Sequence, residues 1–355
     1  MLIVAVALLP VIAFLIALVQ ADSFKLVPAP MVAWSLTGGA VAALAALALH
    51  QALFAATGIG TVPFARYVAP LTEESLKALV LFYPLRRHRI GFAVDAAIVG
   101  FAIGAGFALV ENVEYLRALD DRSIWLWLVR GFGTAILHGT TTAVIAIAAK
   151  TLIDYRPGRT LLWILPGWAF AVILHSAFNH ALVSPILAAA ILIIALPLAV
   201  LAVFARSERA TQDWVGDGLD LDVELLQLLQ SDHFGATRLG RYLEDLRTHF
   251  PGTVVADMFC LLQLELELAI RAKAMLMARQ AGVDIAVDEP FRARLVERAY
   301  LTKAIGSTGR LALRPLQATG HRDEWHRYLL EQASRVADAR SGQAGGWGRW
   351  WRRKS

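Results

Sequence analysis

Long apolar runs alternate with short polar connectors along the first 205 residues. Seven of these runs are long enough to span a bilayer as helices, and they cover approximately residues 1–19, 31–57, 63–84, 92–115, 124–149, 160–183 and 186–205. From about residue 206 the pattern changes, because apolar positions now recur at helical spacing between charged residues. The pattern predicts an all-α protein, a polytopic membrane helix bundle of about seven spans followed by a small helical domain.

The distribution of charge divides the chain at the same place. Of the 63 charged residues, 42 lie after residue 205. We therefore predict a transmembrane domain over residues 1–205, a cytoplasmic helical domain over 206–341, and a Gly-rich, basic and Trp-rich tail over 342–355. The net charge of +5 is small and is shared between the two halves, so it does not indicate nucleic-acid binding.

The connectors indicate the orientation of the bundle. Residues 85–91 and 150–159 carry three Lys or Arg residues each and follow the third and fifth helices, so they lie on one side of the membrane. The positive-inside rule makes that side cytoplasmic. We therefore expect an integral protein of the bacterial cytoplasmic (inner) membrane with its C-terminal half in the cytoplasm. The single Cys260 fits a reducing compartment, and this half is available to an unknown protein partner.

Two adjacent acids, Glu73 and Glu74, lie inside the third apolar run. An acid at the centre of a membrane helix costs about 2.5–3.5 kcal/mol, and two neighbouring carboxylates also repel each other. Lys77 follows four residues after Glu73 and three after Glu74, so its ammonium can reach either one. Such a pair is expected where a polar cavity performs chemistry or transport.

The next three helices also carry polar residues inside apolar segments. The positions that we single out there are Phe107, Glu111, Asn112, His138, His175 and Asn179. Counted from the predicted helix ends at about 1.5 Å per residue, the acids and imidazoles all fall between the midplane and the outer surface. We therefore predict a shared water-filled pocket in the outer leaflet, in which these groups perform general acid–base chemistry on water.

Other polar or small residues of the membrane half have simpler interpretations. Asp95, Glu114 and Arg130 lie near helix ends, where extension of the side chain to the interface is expected. Glycines 100, 104 and 106 are expected to allow close helix packing.

The chemistry-bearing residues resemble the motifs of a known family. Glu73-Glu74-Ser-Leu-Lys77 is similar to the EExxK motif of the PrsW family of intramembrane proteases, and Phe107-Ala-Leu-Val-Glu111 resembles its FxxxE motif. The helices that carry His138 and His175 resemble the third and fourth motifs. The resemblance covers about residues 60–185. The family is related to the type II CAAX-prenyl endopeptidases and the Abi proteins, which typically carry histidine where FxxxE has its glutamate.

This resemblance implies hydrolysis of peptide bonds in membrane proteins, such as single-span anti-sigma factors, on the outer side of the bilayer. In one mechanism, Glu73 or Glu74 takes a proton from water, helped by Glu111 or His138. The donors to the oxyanion, by analogy with known oxyanion holes, are His175 and Asn179. The supporting residues are Lys77, which holds the second carboxylate ionised, together with Phe107 and Asn112.

In a second mechanism, a divalent metal such as zinc activates the water. The residues that would bind it are Glu74, Glu111, His138 and His175. The sequence contains no HExxH motif, and His175 and His180 are five residues apart and so do not share one helix face. The residues therefore favour the glutamate mechanism, while ligands from separate helices leave the metal mechanism open.

Two other classes of function compete with a protease. Intramembrane acids and histidines also build proton relays, which suits a proton-coupled transporter, and a non-catalytic relative would act as a partner-binding or immunity protein. The polar residues cluster on one side of the midplane and the halves show no inverted repeat, which disfavours a transporter. The sequence thus favours an intramembrane endopeptidase whose substrate is a protein of the surrounding lipid bilayer.

Overall fold

A computed structural model describes residues 2–22, 26–119, 123–155, 159–283, 285 and 288–313 of the chain. Within these ranges the backbone forms helices and their connections and contains no strand, which confirms the predicted all-α class. The chain divides into two compact units, of which the first is Met1–Glu208 and the second begins at Arg209.

The first unit is built from long helices. Their bounds are α1 Leu2–Ala21, α2 Ala29–Thr57, α3 Ala69–Arg86, α4 Ala93–Ala118, α5 Ala135–Tyr155 and α6 Thr160–Asn179. Helix α7, Pro185–Leu229, begins in the first unit and ends in the second. Two of them are preceded by irregular helical turns. The segments Thr61–Pro63 and π-helical Phe64–Val68 lead into α3, and Ile124–Leu128 and π-helical Val129–Thr134 lead into α5.

Five helices of the described residues are long and apolar enough to cross a membrane. They are Leu2–Ala21, Ala29–Thr57, Ala93–Ala118, Ile124–Asp154 and Thr160–Asn179. The other two predicted spans fall short for different reasons. Helix α3 carries four charged residues, and in α7 the apolar stretch found among the described residues is Pro185–Ala195. The count of seven spans therefore stays a prediction.

Helix α4 is central in the first unit and packs against α1, α2 and α5. In its most apolar window 83% of the residues are buried, against 22% for α1. Small residues permit this packing: a Cβ on Gly104 would lie 2.1 Å from His138 O, and one on Gly106 would lie 2.0 Å from Leu36 O. A Cβ on Gly100 would also meet backbone atoms of α5, so the expected role of these glycines is confirmed.

The π-helical turn ahead of α3 releases two backbone carbonyls. The Ala69 N–H donates to Phe64 O, five residues back, so the Ala65 carbonyl loses the donor that an α-helix would give it. Pro70 has no N–H, so the Arg66 carbonyl also lacks an α-helical donor. Both oxygens need partners from another element.

The end of α6 supplies these partners. Asn179 Nδ2 donates to Ala65 O at 2.8 Å, and Ser176 Oγ donates to Arg66 O at 2.6 Å. These two bonds fix the start of α3 against α6.

The second unit is a smaller helical assembly, in agreement with the pattern of its sequence. After the 3₁₀ turn Phe234–Ala236, its helices are α8 Arg238–Leu246, α9 Gly252–Gln280, α10 Glu289–Ala304 and α11 Gly306–Leu313. Met258, Leu261 and Phe291 are its most deeply buried large side chains. The predicted tail over residues 342–355 lies outside the described residues.

The close contact of α4 with α5 gives a first prediction. We expect Gly104→Ala to lower the free energy of unfolding by about 1–3 kcal/mol, because the added methyl group must push the two backbones apart. Gly216→Ala is the control, since nothing lies within 4 Å of its added Cβ. Denaturant unfolding in detergent, followed by circular dichroism, measures both variants. A Gly104→Ala protein as stable as the control would contradict the described packing.

Candidate active site

Four helices bring most of the predicted polar residues into one cluster. Its members are Glu73, Glu74 and Lys77 on α3, Glu111 on α4, His138 on α5 and His175 on α6. The side chains of Glu74 and Lys77 have no exposed surface. Glu111, at 22%, is the most exposed of the acids, followed by Glu73 at 9%. The cluster is therefore enclosed by protein and opens on the side of Glu111 and Glu73.

One oxygen of Glu74 accepts three hydrogen bonds. Lys77 Nζ lies 2.7 Å from Glu74 Oε1, His175 Nδ1 lies 2.8 Å away and Thr141 Oγ1 lies 3.2 Å away. A buried carboxylate is tolerated when a cation and further donors surround it. Oε1 of Glu74 thus holds α3, α5 and α6 together, while its Oε2 is buried without a hydrogen-bond partner among the described residues.

The partners of His138 determine which of its ring nitrogens carries the proton. Lys77 Nζ lies 3.1 Å from Nδ1, and an ammonium group can only donate, so Nδ1 accepts. Nε2 therefore carries the hydrogen and donates to Glu111 Oε2 at 2.9 Å. The lone pair of His138 faces the interior of the cluster.

His175 has the opposite tautomer. Its Nδ1 donates to Glu74 Oε1, so in the neutral ring the lone pair lies on Nε2. The rings of His175 and His138 meet nearly at right angles with centroids 4.9 Å apart. Phe107 covers this arrangement, with its ring 5.0 Å from both Lys77 Nζ and the His138 ring. The aromatic residue of the predicted FxxxE motif thus packs directly on the cluster.

Glu73 lacks the direct contact with Lys77 that its neighbour has. Its Oε2 atom, like Oε2 of Glu74, is buried and has no hydrogen-bond partner among the described residues, and it lies 4.0 Å from His138 Nδ1. An unpaired buried carboxylate oxygen is costly and calls for a specific explanation. A water, a metal ion or a substrate group held at this oxygen would satisfy it.

The residues fit a divalent metal ion in donor type and proximity. Glu73, His138 and His175 each offer a ligand atom, and these atoms lie within 4.8 Å of one another. One carboxylate with two imidazoles is a set that zinc takes in catalytic sites, and the unpaired Glu73 oxygen is available to it. The Lys77 ammonium beside His138 would have to move away from such an ion.

The two carboxylates that the sequence suggested as metal ligands take different positions. Glu74 lies against Nδ1 of His175, and Glu111 lies against Nε2 of His138. Carboxylates in this position orient a histidine ring and raise its basicity.

Two predicted site residues contact backbone instead of joining the cluster. Asn179 Nδ2 is bonded to Ala65 O, so its predicted role as an oxyanion donor receives no support from this contact. Asn112 Nδ2 donates to Ala7 O at 2.8 Å and connects α4 to α1.

The structure also adds residues that the sequence did not indicate. Thr141 donates to Glu74. It follows His138 by three residues, and this spacing, which puts both side chains on one face of the helix, could have indicated it from the sequence. The expectation that Asp95, Glu114 and Arg130 extend outward holds only for Glu114. Asp95 is buried and caps α4 through the backbone N–H groups of residues 91 and 92. Arg130 is buried and lies 3.3 Å from Glu111.

A polytopic helical bundle with convergent acids and imidazoles inside its apolar layer is typical of intramembrane hydrolases and of proton-coupled transporters. The model of one such family, the PrsW family intramembrane metalloproteases, matches residues 27–205, slightly more than half of the chain. The chain therefore belongs to the PrsW family, which confirms the resemblance of its motifs. Comparison with curated proteins and with solved structures finds no significant match.

The buried ion pair gives a second prediction. We expect Glu74→Gln to lower the free energy of unfolding by about 3–5 kcal/mol, because Lys77 keeps its charge without its nearest anion. Adding Lys77→Met removes both charges and should restore much of that loss. The measurement is denaturant unfolding in detergent.

The control uses the exposed pair of Arg247 with Glu244, which has the same spacing of three residues. Glu244→Gln should change stability little, because water screens this pair. Equal stability of Glu74→Gln and Glu244→Gln would contradict the assignment of the buried pair.

Proposed function

We propose that the protein is an intramembrane endopeptidase in which Glu73 is the general base that activates water. The observation that carries this proposal is the buried, unpaired Oε2 of Glu73 beside two imidazoles. Glu74 Oε2 is also unpaired, but this side chain has no exposed surface and its other oxygen is paired with Lys77, whereas Glu73 lies on the partly open side of the cluster. Glu74 is therefore poorly placed to exchange protons with water.

The reaction follows from these positions. A water molecule between Glu73 and the histidines attacks the carbonyl carbon of the scissile peptide, and its proton passes to Glu73 Oε2. The C–N bond then breaks, and Glu73 returns the proton to the leaving nitrogen. The Nε2 lone pair of His175 accepts a hydrogen bond from the second O–H group of the water and so orients the water molecule.

The fixed charges around this water have supporting roles. The Lys77 ammonium is buried beside His138, so it stabilises negative charge that develops on the carbonyl oxygen. Glu74 holds Lys77 and His175 in place, and Glu111 does the same for His138. Asn179 positions α3 through its bond to Ala65.

The family's description as metalloproteases favours a second version of this site. Glu73, His138 and His175 would hold a divalent ion, which when bound lowers the pKa of water and polarises a carbonyl group. In that version Glu74 and Glu111 orient the two histidines.

The surroundings of the site support a membrane-protein substrate. The cluster lies on helices that are embedded in apolar surface, and its partly open side carries Glu73 and Glu111. We infer that the substrate is a single-span regulatory protein, such as an anti-sigma factor, cleaved in the outer leaflet. If the predicted seven spans are present, we expect the C-terminal half in the cytoplasm, where it is available to a protein partner.

Glu73→Gln tests the proposed base. We expect it to lower the cleavage rate of a single-span substrate in proteoliposomes by about 10²–10⁴-fold, the usual contribution of a general base. Glu114→Gln is the control, because this acid is more exposed and pairs only with Arg117 among the contacts that the structure gives. Full activity of a correctly inserted Glu73→Gln protein would overturn the assignment of the base. Absence of substrate cleavage by the wild-type protein would instead favour a partner-binding or transport role.

Metal analysis distinguishes the two versions of the site. The glutamate version predicts that purified protein cleaves its substrate at the same rate with and without a chelator. Stoichiometric zinc in the wild-type protein and cleavage that a chelator abolishes would instead support the metal version. In that case His175→Ala should lose both the zinc and the cleavage.

The orientation has its own test, because Cys260 is the single cysteine of the chain and is exposed. We expect a membrane-impermeant maleimide to label Cys260 only after intact cells are permeabilised. Labelling of intact cells to the same extent would place the C-terminal half outside.

A further inference from the structure

Arg130 is a buried cation in the apolar part of the protein. It is only 9% exposed and lies in the π-helical segment Val129–Thr134 that leads into α5. An arginine inside a membrane domain is costly and is usually paired for a functional reason. The reaction outlined above does not use it.

The guanidinium of Arg130 has three partners, all on α4. Its Nη2 lies 3.3 Å from Glu111 Oε2, its Nε donates to Asn112 Oδ1 at 3.1 Å, and its carbon lies 3.4 Å from the centre of the Tyr115 ring. Asn112 is itself held by the backbone of Ala7. The guanidinium is therefore fixed in position and orientation.

The π-helical turn brings this side chain to its partners. In that turn the Ala135 N–H donates to Arg130 O, five residues back, so the turn contains one more residue than an α-helical turn. His138 follows Arg130 by eight positions. In a regular α-helix this spacing would separate the two side chains by about 80° around the axis. Yet both contact the same carboxylate oxygen, Glu111 Oε2.

We propose that Arg130 is a positioning residue, which acts through Glu111 to orient the ring of His138. The proposal deepens the function proposed above and rests on it. Arg130 pairs with the Glu111 carboxylate, and Glu111 accepts the Nε2–H of His138, so the ring is held with Nδ1 toward Lys77 and Glu73. Without Arg130, Lys77 still keeps the hydrogen of His138 on Nε2, but Glu111 loses its fixed cation and the hydrogen bond that orients the ring becomes weaker.

The first experiment observes the hydrogen bond from His138 to Glu111 directly. The protein is labelled with ¹⁵N-histidine and reconstituted in lipid, and the His138 signals are identified as those missing from His138→Asn. We expect wild type and Arg117→Gln to show the same Nε2–H proton signal, at the downfield position of a hydrogen bond to a carboxylate. Arg130→Gln should keep the hydrogen on Nε2 but shift this proton signal upfield, as a weaker hydrogen bond does. An unchanged Nε2–H signal in folded Arg130→Gln would overturn the proposal.

The second experiment tests whether Arg130 acts through Glu111. We expect Arg130→Gln to lower kcat by about tenfold or more with KM little changed, as for a small misplacement of a reacting group. On a Glu111→Gln background the same substitution should have little further effect, because the coupled partner is already lost. Equal reductions on both backgrounds would show a merely structural role.

Arg130→Lys keeps the test valid if Arg130→Gln does not fold. Lysine retains the charge but cannot contact Asn112 and Glu111 with one planar group. We expect partial loss of kcat in the wild-type background and none beyond that of Glu111→Gln in the double variant; equal losses on both backgrounds would overturn the proposal. The NMR experiment needs no activity, so it tests Arg130 even if Glu73→Gln shows that the proposed base is wrong.

Discussion

The buried ion pair between Glu74 and Lys77 is the interaction on which the arrangement of the membrane unit depends. Both side chains are without exposed surface and lie 2.7 Å apart. Two charges at this depth are tolerable only when neighbouring helices enclose them and supply further donors, as His175 and Thr141 do. The face of α3 that carries these charges must therefore pack inside the bundle, while Leu71 and Leu79 on the same helix stay exposed.

The same pair explains how two adjacent acids take different tasks. Neighbouring residues of a helix point about 100° apart, so Glu74 faces α5 and α6 while Glu73 faces the partly open side. Oε1 of Glu74 accepts from three donors, and the charge of this residue is used for structure. Glu73 has an unpaired oxygen next to His138 on the partly open side, where a proton acceptor or a metal ligand is needed. Repulsion between the two carboxylates is reduced because Lys77 compensates one of them.

Two π-helical turns connect the backbone to the chemistry. The first, before α3, frees carbonyls that Asn179 and Ser176 then bind. The second, before α5, turns Arg130 toward Glu111. Such turns are rare and often occur at functional sites. Here each turn contains one extra residue, which changes the direction in which the following side chains point. At each turn, polar groups also contact a neighbouring helix.

The sequence alone determined the all-α class, the membrane location, the PrsW family and most of the polar cluster, including Glu73, Glu111, His138 and His175. These features can be read from short stretches of sequence, since hydropathy predicts the helices and an acid within an apolar segment indicates a functional site. Only the tertiary structure decided which glutamate lies on the partly open side of the cluster, that Asn179 binds a backbone carbonyl, and that Arg130 is buried. Those outcomes depend on helix rotation and on π-helical turns, which arise when helices pack against one another and leave no local signal in the chain.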